Sequence, residues 1–157
     1  MELSISWQHF YLRLAQQVAT GSKDGSSKFG AVLVRPDKTL ASIGFNGFPK
    51  RMIDDPRYLG EPEYRSEKYA RIVHAEANCL NYNRDFNTDG FHLFVNGHPC
   101  DRCALRIAST GITHVYYEEK PDFETRWAES LVTAKTIFAE SQITLISIAD
   151  PSSLPDQ

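Results

Sequence analysis

Two short segments hold residue types able to do chemistry together: Val73-His74-Ala75-Glu76 and Pro99-Cys100-Asp101-Arg102-Cys103, with 25 positions from His74 to Pro99. His74, Cys100 and Cys103 offer one imidazole and two thiolates, a donor set suited to Zn²⁺. Three protein ligands is the catalytic number, because structural zinc sites close with four and catalytic ones leave a position for water. Zinc lowers the pKa of that water from 15.7 to about 7, which makes hydroxide available at neutral pH. Glu76 is the candidate general acid–base group, a role that contributes about 10²–10⁴-fold to a rate.

This chemistry constrains the elements that carry it. Residues two apart on a helix do not share a face. His74 and Glu76 therefore meet one ion only if a helix starts within a residue or two of His74 and turns its tip to the metal. A helix running straight through Tyr69–Asn83 would contradict the reading. Pro99 reads as the start of a second helix. The unpaired N–H groups and partial positive charge of that first turn favour thiolate at Cys100, and Cys103 follows one turn on. Each motif alone is weak, since C-x-x-C also serves as a structural half-site or a redox pair and H-A-E is a common tripeptide. Both together, in order and each before a helical pattern, favour a catalytic site. A closed structural site would need a fourth ligand from Cys79, His92 or His98. Cys79 reads better as a small buried hydrophobe, and His98 beside Pro99 is the stronger competitor. His9 and His114 read as surface residues.

The surrounding pattern supplies elements of the right kind. Ser6–Thr20 reads as an amphipathic helix with Trp7, Phe10, Leu14 and Val18 on one face. Phe29–Val34 and Thr39–Phe45 form an antiparallel hairpin through a turn at Arg35-Pro36-Asp37-Lys38. Asn46–Tyr69 is a long irregular stretch, punctuated by glycine and proline and long enough to be functional. A helix is expected over Val73–Asn83, a strand over Phe91–Asn96, a helix over Cys100–Thr110 and a strand over Thr113–Tyr117. One long helix follows over Phe123–Ser141 with Trp127, Leu131, Ala134 and Phe138 inward, then a strand over Ile143–Ile148. The strand–helix alternation of the second half implies parallel pairing with helical crossovers. The fold class is α/β: one mixed sheet with helices on both faces. Residues 1–149 read as a single domain and Asp150–Gln157 as a poorly ordered polar tail.

Composition excludes several classes. The 157 residues are 41% hydrophobic and 24% charged, an ordinary globular balance, and long enough to bury a core without disulfides. A net charge of −3 argues against a nucleic-acid partner, which favours a basic excess. Three cysteines, two of them in C-x-x-C, do not make a secreted disulfide framework. No signal peptide and no membrane span is read, so a reducing cytoplasm is expected.

The H-x-E and P-C-x-x-C pair is the signature of zinc-dependent nucleobase deaminases, and the chain resembles the cytidine deaminase superfamily. More narrowly it is similar to the deoxycytidylate (dCMP) deaminase family. The resemblance runs from Ser22 to Tyr117. It includes Ser22-Lys23-Asp24, Lys28-Phe29-Gly30-Ala31-Val32, Gly44-Phe45-Asn46-Gly47-Phe48-Pro49, Ile72–Asn78 and Pro99–Ala104. It implies a three-layer α/β/α sandwich around a five-stranded mixed sheet, a homo-oligomer, and one zinc on His74, Cys100 and Cys103. It also implies a hydrolytic reaction converting dCMP, or a related cytosine nucleotide, to dUMP and ammonia. In that reaction zinc-bound hydroxide attacks C4 and Glu76 shuttles protons. Asn46 would hydrogen-bond the sugar and the Ala75 N–H would hold the base carbonyl; the competing reading of Asn46 is a turn residue beside Gly47. Asn96-Gly97-His98 departs from the family's usual Thr-His-Pro. Lys50-Arg51-Met52 replaces the small residues of relatives controlled by dCTP and dTTP, so such control is not expected. The alternatives are a deaminase of a free nucleoside or base, a tRNA deaminase, and a non-catalytic zinc-stabilised binding module.

Overall fold

Five short apolar runs pair into one sheet in the structure, a computed structural model that describes residues 1–150. In chain order the strands are β1 (Gly30–Val34), β2 (Leu40–Phe45), β3 (His92–Val95), β4 (His114–Glu118) and β5 (Thr144–Ile148). Their spatial order is β2-β1-β3-β4-β5. β1 is antiparallel to both β2 and β3, whereas β3, β4 and β5 are parallel. The hairpin and the parallel half are both as the sequence predicts. Lys38 closes the β1–β2 turn at φ 73°, and its N–H donates to the Arg35 carbonyl at 2.9 Å.

β1 and β3 are covered on both faces, so they run apolar without alternation. Ala31, Leu33, Leu93, Val95 and Val115 face α4 (Ala75–Tyr82), α5 (Asp101–Ala108) and α7 (Ala128–Glu140). Val32, Val34, Phe94 and Tyr116 face α1 (Ile5–Ala19). The result is the expected helix–sheet–helix sandwich.

Three expectations need correction. The fully buried residues of α1 are Gln8, Tyr11, Leu12, Ala15 and Ala19; of the four expected, Trp7, Leu14 and Val18 are partly buried and pack against the same core, and Phe10 is 56% exposed. The cause is close approach. A Cβ on Gly30 would lie 2.2 Å from the Ala15 carbonyl oxygen and 2.5 Å from the Ala19 nitrogen, so β1 and α1 meet through small residues. The long last helix is divided into α6 (Pro121–Arg126) and α7, with Trp127 at the break and 40% exposed. Leu131, Ala134 and Phe138 are buried as expected. The irregular stretch contains α2 (Pro56–Gly60), a 3₁₀ turn (Pro62–Tyr64) and α3 (Arg65–Tyr69). Its neck is closed by paired hydrogen bonds between Gly47 and Val73. Among the described residues no helix is long and apolar enough to cross a membrane. The tail expected at Asp150–Gln157 lies, beyond Asp150, outside the described residues.

Candidate metal and active site

His74 is the N-cap of α4, with extended backbone at φ −69° and ψ 157°, and the helix begins at Ala75. This meets the geometric demand of the sequence: the helix tip, not its side, faces the site. Cys100 is the N-cap of α5, and its sulfur accepts from the Cys103 N–H at 3.5 Å. The segment Phe91–Pro99 leading to it is buried throughout, so β3 delivers Cys100 to a fixed place at its C-terminal end.

His74 Nδ1 lies 3.5 Å from Cys100 Sγ and 3.4 Å from Cys103 Sγ, and the three donor atoms all lie within 4.8 Å of one another. Zn–S bonds of about 2.3 Å and Zn–N bonds of about 2.0 Å at a tetrahedral angle place N and S about 3.5 Å apart. The donor set and its spacing therefore fit zinc. Among the described residues no other His, Cys, Asp or Glu completes this cluster. Cys79 is buried in the core, bonded to the Ser42 carbonyl. His92 lies on the opposite sheet face, stacked on His114 with ring centres 4.6 Å apart. His114 is half-buried there rather than on the surface. His98 is buried at 3%, its Nδ1 2.8 Å from the Pro99 carbonyl and its ring against Tyr117 at 4.5 Å. That carbonyl only accepts, so Nδ1 carries the proton.

The electrostatics suit a cation. Hydrogen bonding from Cys103, then His74, brings the Cys100 thiol down to about 4 despite burial. The Cys100 thiolate and the nearby Glu76 raise His74 to about 9 against burial. Cys103 is pushed up by the adjacent Cys100 and by burial. Burial also raises Glu76, which is 5% exposed, against the lowering effects of His74 and of a hydrogen bond with Cys103.

Glu76, Ala75, His74 and Cys100 line a cavity of about 400 Å³. Asn46 lines it too, but its side chain already serves the fold. Its Oδ1 accepts from the Phe29 N–H at 2.9 Å, and its Nδ2 donates to the Ser27 carbonyl at 2.9 Å. The sequence had no signal for Lys68 as a wall residue. Its side chain is 9% exposed and reaches from α3 to Asp24 at 3.3 Å and to the Ser26 hydroxyl at 2.6 Å. Burial disfavours the Asp24 charge, yet donors from Ser26 and Ser27, with Lys68, hold its carboxyl below the usual range. Arg65, Arg102 and Arg126 also line the cavity and have no carboxylate partner among the described residues. Tyr69 and Trp127 stand edge-to-face at the mouth, 6.5 Å apart, whereas Tyr64 packs on Tyr58 outside the cavity.

Comparison with known proteins agrees with this geometry. Residues 5–119 match the "Cytidine and deoxycytidylate deaminase zinc-binding region". The chain is 32% identical to a deaminase from the luxG 3′ region of Aliivibrio fischeri over 87% of its own length and 90% of that protein. It is 30% identical to the deoxycytidylate deaminase of Mus musculus over 72% of its length, and spans 65% of that longer protein. A crystal structure of dCMP deaminase from the cyanophage S-TIM5 shares the fold, with a TM-score of 0.70 at 21% identity, covering 93% of this chain and 100% of that one. The chain thus belongs to the cytidine and deoxycytidylate deaminase family.

Proposed function

We propose that the chain is a zinc-dependent hydrolytic deaminase acting on a cytosine nucleotide, dCMP foremost. The observation that carries the reading is Glu76. It is a buried carboxyl lifted above its ordinary range, lining a cavity that His74 and Cys100 of the three-donor cluster also line. His74, Cys100 and Cys103 would hold the ion. When bound, zinc supplies an acidified water on the cavity side. Glu76 takes a proton as the water oxygen bonds to C4 and passes it to ring N3. As the C4–N bond breaks, it carries the remaining hydroxyl proton to the departing amine. One water is consumed and one ammonia released. A carboxyl raised by burial suits both halves of this exchange.

Positioning falls to the walls. The Ala75 N–H at the tip of α4, with no acceptor among the described residues, would hold the base carbonyl. Asn46 has one Oδ1 lone pair left for the sugar. Arg65, Lys68, Arg102 and Arg126 outnumber Asp24, Glu76 and Asp101 around the cavity, although the chain as a whole is acidic. That local excess favours a phosphorylated substrate over a free nucleoside. A cytoplasmic homo-oligomer belongs to the same proposal.

The test is ammonia release by zinc-loaded protein from dCMP, CMP, deoxycytidine and cytosine. We expect kcat/KM for dCMP to exceed that for deoxycytidine by about 100-fold, the worth of one or two charge-assisted hydrogen bonds. Equal rates would move the reading to a nucleoside deaminase. No turnover of any of these, with one zinc bound per chain, would leave a non-catalytic module.

A further inference from the structure

The metal-facing cavity has a neighbour. It shares Ser26, Ser27, Phe29, Phe123 and Arg126 with a second groove of about 500 Å³, whose other lining residues are Lys28, Lys120 and Asp122. The groove therefore lies directly beside the space a ligand at the cluster would fill. Three cations line the groove against one carboxylate. The Lys28 ammonium donates to the neutral Ser22 carbonyl at 2.8 Å, so its charge is not cancelled. Arg126 has no carboxylate partner among the described residues and lies 5.9 Å from the Trp127 ring centre. Lys120 shares Glu118 at 3.3 Å and lies over the Phe29 ring at 5.4 Å. A groove of this sign, on a chain of net charge −3 and bordering the metal-facing cavity, attracts an anion.

Resting on the nucleotide reading above, we propose that the groove is a subsite for a second phosphate on the substrate nucleotide. The same chemistry has two sources. A 5′-diphosphate would enter along the Arg126 rim, and a 3′-phosphate would enter from the sugar side. The site would then accept a doubly phosphorylated cytosine nucleotide as well as the monophosphate.

The experiment compares kcat/KM for dCMP, dCDP and deoxycytidine 3′,5′-bisphosphate, using zinc-loaded protein and its Lys28→Gln, Lys120→Gln and double variants. Melting curves establish that each variant is folded; Lys120→Gln, at a side chain 35% exposed, serves if the double variant is not. At least one doubly phosphorylated compound should match or exceed dCMP and lose about tenfold in the double variant, with dCMP held within about twofold. Which compound does so identifies the source. Both falling below dCMP, or neither responding to the substitutions, would overturn the subsite while leaving dCMP deamination intact. Failure of all three compounds would instead overturn the nucleotide reading, and the subsite with it.

Discussion

The two faces of the sheet shift the same kind of residue in opposite directions. On the α4–α5 face, His74 sits beside Cys100 and is raised to about 9. On the α1 face, His92 is lowered to about 4, by burial first and by His114 second. Its Nδ1 lies 3.1 Å from the Tyr116 hydroxyl, which itself accepts from the Leu3 N–H at 2.9 Å. The Tyr116 proton is therefore available to His92, whose Nδ1 acts as an acceptor on a neutral ring. Burial beside a second imidazole neutralises His92, whereas an adjacent thiolate keeps His74 charged. The first arrangement serves packing. The second stores charge where a dication would replace protons.

The largest effect should follow from separating metal binding from proton transfer on the active face. Glu76→Gln keeps shape but cannot take a proton. It should lower kcat by about 10²–10⁴-fold while the protein still binds one zinc by elemental analysis. Cys103→Ser should lose the zinc itself, because it removes one of three donors. His92→Gln, on the other face, should leave kcat unchanged. If Glu76→Gln turned over normally, the contrast between a working face and a packing face would fail.

The next effect is on stability against pH. The folded-state pKa of His92 is depressed to about 4 from 6.5. The unfolded chain thus binds the proton first as pH falls, and stability rises with pH across that window. The contribution is complete above about 6.5 and gone near 4. Its upper limit is about 3.5 kcal/mol, from roughly 1.4 kcal/mol per pKa unit. Urea melts at pH 4.5 and 7 should show the loss, and His92→Gln should reduce it. A variant as pH-sensitive as the parent would mean that other groups carry the effect.

These features differ in how far the sequence revealed them. The chemical group was legible because the local pattern dictated it. A short span from His74 to Glu76, and Pro99 before Cys100, each force a helix start, and both starts are where they were expected. Parallel pairing in the second half was legible from alternation. The walls were not. Lys68 reaches Asp24 across 44 positions, a contact that no periodicity encodes. Trp127 fits the helical repeat of Leu131, Ala134 and Phe138, yet the chain breaks there and turns it to the cavity mouth. The deepest positions of α1 were missed because hydrophobic spacing ranks residues by apolarity, while contact distance selected alanines; Trp7, Leu14 and Val18 still pack on the core, and Phe10 is exposed. His92 and His114 look like ordinary polar residues until the parallel register of β3 and β4 sets them side by side.

The same contact distance gives the finest comparison of the two faces. Gly30 lets α1 approach β1, and Gly44 lets α4 approach β2. A Cβ on Gly44 would lie 2.3 Å from the Cys79 nitrogen and 2.8 Å from the Ala75 carbonyl oxygen, both main-chain atoms. Alanine at either glycine must displace a helix, with an expected loss of about 1–3 kcal/mol. The stability losses should be similar, but the consequences should not. Gly30→Ala shifts α1, which carries no residue of the cavity, so kcat/KM should stay within about twofold at temperatures where the protein is folded. Gly44→Ala pushes on the first turn of α4, between His74 and Cys79. A displacement near 1 Å in a catalytic group can cost on the order of 100-fold. Paired melting curves and rates would decide the matter. Equal activity losses would show that the two helical layers are mechanically coupled through the sheet, and that the α1 face has a part in holding the active geometry.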